Sequence, residues 1–162
     1  MMTFRPKAAF VFTHPAHFIA FGFGAGLARV APGTVGTLVA FPIWWLIGSA
    51  IPPLALLVIV AAMFVVGVWA CGITGRDLGI ADHGAMVWDE IVAFLLVLMI
   101  VPARPAWQAA AFVLFRGFDV VKPPPIRQLE RRMKGGFGVM FDDILAAGYT
   151  LLVLALAKRL LF

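Results

Sequence analysis

Between Arg29 and Arg76 the chain runs for 46 residues without a charged side chain. That length suits two apolar helices of about 20 residues joined by a tight turn. Pro52-Pro53 marks the turn, because proline supplies no amide donor and pushes the preceding residue away from helical angles. The pattern predicts a first helix over residues 36–51 and a second over 54–73. A third starts near Val87 and ends before Pro102; a fourth covers 106–121 and stops at the prolines 123–125. A fifth starts near Asp142 and ends at Lys158-Arg159. The charge-free centres of the last three hold 13, 11 and 14 residues. A centred span needs ~20, so their flanking charges belong at a membrane interface or in a protein-lined cavity. Residues 17–29 are apolar and glycine-rich but short, which predicts an interfacial or re-entrant helix.

Composition fixes the class. The chain is 63% hydrophobic and 13% charged, with a mean hydropathy of +1.02, whereas a soluble domain is about a quarter charged. The expected fold is an all-α integral membrane protein of about five transmembrane helices plus a short N-terminal helix, in a single domain over residues 1–162. The net charge of +5 points to anionic lipid head groups rather than nucleic acid. Cys71 is the one cysteine, which leaves no intramolecular disulfide and makes it a small packing residue. No small-residue cleavage site follows Arg5 and Lys7, so the spans themselves are expected to direct insertion.

Five spans with a cytoplasmic start place Arg5, Lys7, Arg29, Arg76, Arg116, Lys122, Arg127, Arg131, Arg132 and Lys134 on the cytoplasmic side. Only Arg104, Lys158 and Arg159 fall opposite, a positive-inside distribution. The same parity puts every acid of the chain (Asp77, Asp82, Asp89, Glu90, Asp119, Glu130, Asp142, Asp143) at the cytoplasmic face.

Three clusters carry candidate chemistry. Trp88-Asp89-Glu90 opens the third helix. Arg116, Asp119 and Lys122 recur at three-residue spacing toward the end of the fourth and so share a face. Gly135-Gly136-Phe137-Gly138 reads as a flexible loop feeding Asp142-Asp143 at the start of the fifth. Singly, these read as a helix cap, an interface ion pair and a turn. Together, carboxylates near hydrocarbon are costly unless they share a cation. The candidate metal ligands and catalytic residues are Asp89, Glu90, Asp119, Asp142 and Asp143. An oxygen-only set selects Mg²⁺ first, then Mn²⁺ or Ca²⁺. Arg116 and Lys122 beside them fit a phosphate, as do the hydroxyls of Thr34 and Thr37, whose alternative role is capping the first helix. The glycines 135–138 let backbone amides approach a phosphate.

Other residues read more plainly. Gly22-Phe23-Gly24-Ala25-Gly26 follows no predicted strand, so a nucleotide site is rejected; Gly22 and Gly26 fit a small-residue packing face. His83 is a polar loop residue, His14 and His17 are interfacial, and the tryptophans anchor or pack.

In this order, several stretches resemble the phosphatidylglycerophosphatase A family. They are Gly22–Leu27, Ala31-Pro32-Gly33-Thr34-Val35-Gly36-Thr37-Leu38, Asp82-His83-Gly84 with Val87-Trp88-Asp89-Glu90, Phe115-Arg116 with Phe118-Asp119, Lys122-Pro123-x-Pro125-Ile126, and the run from Gly135 to Asp143. The resemblance implies a multi-pass inner-membrane, Mg²⁺-dependent phosphatase acting on a phospholipid in the bilayer. It would hydrolyse the terminal phosphate of phosphatidylglycerophosphate by attack of metal-activated water at the cytoplasmic face, leaving phosphatidylglycerol. An aspartyl-phosphate on Asp142 or Asp143 is the alternative route. Two competing functions remain at this point. A divalent-cation channel or carrier would need acids along a pore, and a lipid head-group transferase would need a nucleotide site.

Overall fold

The structure is a computed structural model and describes residues 6–161; Arg5, counted above, lies outside them. Helices make up the fold, with no strand among the described residues. Two short helices, α1 (Ala8–Val11) and α2 (Pro15–Ala20), lead into a 3-10 segment, Gly22–Leu27. Then follow α3 (Pro32–Ile47), α4 (Pro53–Leu78), α5 (Trp88–Ile100), α6 (Pro105–Val121), α7 (Ile126–Arg132) and α8 (Gly135–Leu161). Pro32, Pro53 and Pro105 each open a helix, where the missing amide costs nothing. Gly79, at φ 68°, ends α4 in the left-handed region.

Helix α5 is the axis of the bundle. From Trp88 to Leu98 every residue except Leu96 is buried, with α3, α4, α6 and α8 packed around it. Phe94 of α5 joins Phe41 of α3 (ring centroids 5.3 Å apart) to Phe112 and Phe115 of α6 (6.0 and 5.4 Å). The Trp88 indole N–H donates to the Met63 carbonyl of α4 at 3.0 Å.

Helices α4 and α8 are each long and apolar enough to cross a membrane. Helix α4 turns Leu54, Val58 and Val65 outward. Length and hydropathy single out α4 and α8 among the described residues, so the expected five or so spans are not confirmed. α3 has 16 residues, α5 has 13 and α6 has 17, and 13 residues rise only about 20 Å against a ~30 Å hydrocarbon core. Hydropathy does not separate a lipid-facing helix from one enclosed by protein, and α5 is the latter.

Two boundaries move further. The first helix starts at Pro32 rather than residue 36, because Ala31 at φ 46° turns the chain directly into it. The fifth starts at Gly135 rather than near Asp142, so the glycine run is helix and not loop. Its glycines serve packing. A Cβ on Gly136 would lie 1.9 Å from the Val68 carbonyl oxygen of α4, and one on Gly138 would lie 2.2 Å from that of Met133. Small residues let the α4 and α8 backbones approach closely, and these glycines are not turned toward a phosphate. Gly22 and Gly26 are likewise packing positions, against Val87 and Ala85.

The N-terminal segment is no surface helix at His17. That ring is buried, stacks on Phe10 at 4.2 Å, bonds Thr74 through Nδ1 at 3.0 Å and reaches Asp77 through Nε2 at 3.3 Å. Burial holds its pKa below the usual 6.5, with the Asp77 charge opposing.

Candidate active site

Helix polarity gathers the acids at one end of the bundle. Helix α5 brings Asp89 and Glu90 in its first turn, where the helix dipole favours negative charge. Antiparallel α6 brings Arg116 and Asp119 in its last turns. Asp142 and Asp143 are the eighth and ninth residues of α8, well inside the helix rather than capping it. The parallel α3 presents its N-terminus to the same place: a Cβ on Gly33 would sit 2.1 Å from Glu90 Oε1 and 2.9 Å from an Arg116 guanidinium nitrogen. Only glycine leaves room there for this pair.

The acids form two groups. In the first, Asp89, Glu90 and Asp143 are all buried, and one oxygen from each lies within 4.8 Å of the others. Arg116 reaches Glu90 Oε1 at 3.3 Å and also pairs with Asp119, which in turn faces Asp143. Asp89 Oδ1, Glu90 Oε2, Asp143 Oδ2 and Arg116 Nε are buried with no hydrogen-bond partner among the described residues. Four carboxylates therefore share a site with one guanidinium, which contacts Glu90 and Asp119. Unpaired buried oxygens in this number are strongly unfavourable unless a cation joins them. The all-oxygen donor set fits a hard cation.

In the second group, one oxygen from each of Asp82, Glu130 and Asp142 lies within 4.8 Å of the others, an arrangement that could hold a metal ion, and the Lys122 ammonium stands among them. Lys122 Nζ lies 2.5 Å from Asp142 Oδ2, 2.9 Å from Glu130 Oε1 and 4.0 Å from Asp82 Oδ2. Burial alone would lower the Lys122 pKa; the hydrogen bonds and charges of Asp142 and Glu130 outweigh it, and the group stays charged well above its usual range. Lys122 itself sits at φ 46°, an unfavourable angle for a side chain with a Cβ, where it ends α6.

This geometry revises the expected site. Asp89, Glu90, Asp119, Asp143 and Arg116 come together. Asp142 pairs with Lys122 through Oδ2 and belongs to the second group, while its Oδ1 is buried with no partner among the described residues. Lys122 is surrounded by carboxylates and offers no open ammonium to a phosphate. Thr37 is buried and its hydroxyl donates to the Gly33 carbonyl at 2.9 Å, so it neither caps α3 nor reaches a ligand. Thr34 stays partly exposed beside Gly33, and the N-cap position belongs to Ala31. Asp82 and Glu130 were missed as partners of Lys122; the signal was an unassigned acid in the 81–84 loop and another five residues past the proline run. Gly33 was missed because nothing in its spacing reveals what a side chain there would strike.

Comparison with known proteins identifies the family. The family model for phosphatidylglycerophosphatase A matches residues 18–158. The phosphatidylglycerophosphatase A of Escherichia coli (strain K12) is 41% identical over 141 residues, 86% of this chain and 81% of its own. That of Haemophilus influenzae is 42% identical over 141 residues, 86% of each chain. A Bacteroides thetaiotaomicron protein named "Putative phosphatidylinositol-3-phosphatase" is 41% identical over 144 residues, 85% of this chain and 89% of its own. No solved structure matches. The chain thus belongs to the phosphatidylglycerophosphatase A family, and it is a phosphatase.

Proposed function

We propose that the chain, acting as one membrane-embedded domain, hydrolyses the terminal phosphate of phosphatidylglycerophosphate to phosphatidylglycerol. The reaction depends on Mg²⁺ and takes place at the cytoplasmic face of the inner membrane. The observation that carries this reading is the Asp89–Glu90–Asp143 group, whose buried oxygens lack partners in a chain of this family.

Asp89, Glu90 and Asp143 would hold the Mg²⁺, with Asp119 steadying Asp143 and Arg116. When bound, the ion would supply positive charge beside the phosphate oxygens and make water easier to deprotonate. Arg116 holds the remaining charge of the phosphoryl group as it spreads over its oxygens. A carboxylate oxygen of the group that the ion leaves free takes the proton from water. The bond from phosphorus to the glycerol oxygen breaks as that oxygen takes up the proton removed from water. Lys122 pairs with Asp142 and Glu130, with Asp82 nearby, and so fixes the α6–α8 junction that carries the site. The cytoplasmic placement is supported by the basic residues, which concentrate near the acids.

The test is phosphate release by purified protein from phosphatidylglycerophosphate, with chelator and with Mg²⁺ restored. Release that stops with chelator and returns with Mg²⁺ supports the reading; release indifferent to chelator overturns the metal assignment. Because one relative is named for phosphatidylinositol 3-phosphate, that lipid is the second substrate arm. Faster release from it would overturn the substrate assignment and leave the site intact.

A further inference from the structure

A cleft of about 550 Å³ lies beside the acids, with Asp82 in its wall. It is lined by Gly26, Leu27, Arg29, Pro32, Asp82 and His83, among others, and its size falls in the range of small-ligand sites, about 300–1,000 Å³. Its walls are held in place. The Val87 N–H donates to the Ala20 carbonyl at 2.8 Å and the Ala85 N–H to His83 Nδ1 at 3.1 Å, while Gly26 lies so close that a Cβ would meet the Ala85 carbonyl oxygen at 1.9 Å.

The cleft opens toward both acid groups. Pro32 lines it, and the next residue, Gly33, abuts Glu90 and Arg116. Asp82 lines it and faces Lys122, so the one acid of the wall is turned to an ammonium. Arg29 is the one Lys or Arg of the lining, it is exposed, and no ion pair is recorded for it among the described residues. Between cleft and acids stands the N-terminus of α3, a helix of 16 residues. Its geometry leaves the amides of Gly33 and Thr34 without an acceptor inside the helix, and its dipole is positive at that end. Ala31, in the left-handed region at φ 46°, bends the chain so that Arg29 and this helix start border one space.

We propose that this cleft is a second phosphate subsite, in which Arg29 binds the phosphodiester of the lipid head group while the terminal monoester lies at Asp89, Glu90, Asp143 and Arg116. The inference rests on the lipid-phosphatase reading above. A head group with two phosphates joined by a glycerol needs one cationic place for each. The monoester place is Arg116 with the acids' cation, and Arg29 across the α3 N-terminus supplies the other.

The test compares wild type with Arg29→Gln and Arg29→Lys, using two inhibitors of phosphatidylglycerophosphate hydrolysis. Short-chain phosphatidylglycerol carries the diester alone, and inorganic phosphate fills only the monoester place. Arg29→Gln raises KM and the phosphatidylglycerol inhibition constant together, about tenfold, as loss of a charged hydrogen bond predicts; kcat and the phosphate inhibition constant stay level, and Arg29→Lys recovers part of the loss. Unchanged KM and phosphatidylglycerol inhibition would overturn the subsite. A fall in kcat with a matching rise in the phosphate constant would overturn it too, by placing Arg29 at the monoester. Direct binding of phosphatidylglycerol, followed by thermophoresis, separates the two readings. Binding weakened by Arg29→Gln in a protein that releases no phosphate keeps the cleft and sinks the reaction. Turnover with binding indifferent to Arg29 does the reverse.

Discussion

Asp142 and Asp143 are neighbours in sequence but serve different charge groups: Asp142 bonds Lys122 at 2.5 Å, while Asp143 joins Asp89 and Glu90. Successive residues on a helix point about 100° apart, so one turn of α8 faces two sites at once. The two acids should therefore fail differently. Asp143→Asn lowers kcat more than about a hundredfold, as expected for loss of a metal ligand, in a protein that still melts cooperatively. Asp142→Asn strips Lys122 of its nearest partner and lowers the melting temperature in detergent, with a smaller loss of turnover. Melting curves and phosphate release on the same preparations check both.

Metal binding is measurable without turnover. A ligand that binds only the folded state stabilises it in proportion to its saturation, by about 2.7 kcal/mol at a hundred times Kd. Mg²⁺ should raise the melting temperature of the wild type by several degrees. Asp89→Asn and Glu90→Gln should abolish that rise. An equal rise in all three proteins would place the ion elsewhere.

Gly33→Ala tests the contact between α3 and the acids. A methyl group 2.1 Å from Glu90 Oε1 forces Glu90 and Arg116 to shift, and a displacement near 1 Å is enough for about a hundredfold loss of rate. The expected result is a folded protein with turnover reduced at least tenfold. Full activity would mean that Glu90 and Arg116 do not need their present positions.

His17 makes stability depend on pH. Burial lowers its pKa below 6.5 in the fold, with Asp77 opposing, so the unfolded chain takes up the proton more readily. The stability is complete above the unfolded value and falls as pH drops through about 6.5 toward the folded one. His17→Gln should flatten that part of the profile relative to wild type, seen in melting temperatures between pH 7.5 and 5.

Much of this was legible in the chain. Prolines announced the starts of α3, α4 and α6 within a few residues, because a fixed φ and a missing amide act locally. The meeting of Asp89, Glu90, Asp119 and Asp143 followed from helix direction, since successive antiparallel helices bring them toward the same end of the bundle. The division of the acids into two groups did not, because it depends on the rotation of α8 and on where the Lys122 ammonium comes to rest. The glycines 135–138 misled for a related reason. A glycine that frees a loop and one that admits a neighbouring backbone look alike until Val68 is in view. Hydropathy also gave α5 the look of a lipid-facing span, because a helix sheathed in phenylalanine and one bathed in acyl chains have the same sequence.

The enclosure of α5 governs how a lipid can be served. With α3, α4, α6 and α8 closed about it, no gap along its flank admits a tail from the side. On the proposed reading, a lipid substrate would therefore meet the acids from the end of the bundle where the 80–85 loop and the start of α3 lie, its fatty chains staying outside. Catalysis would then fall to the enclosed head of α5, and lipid contact to the outward face of α4.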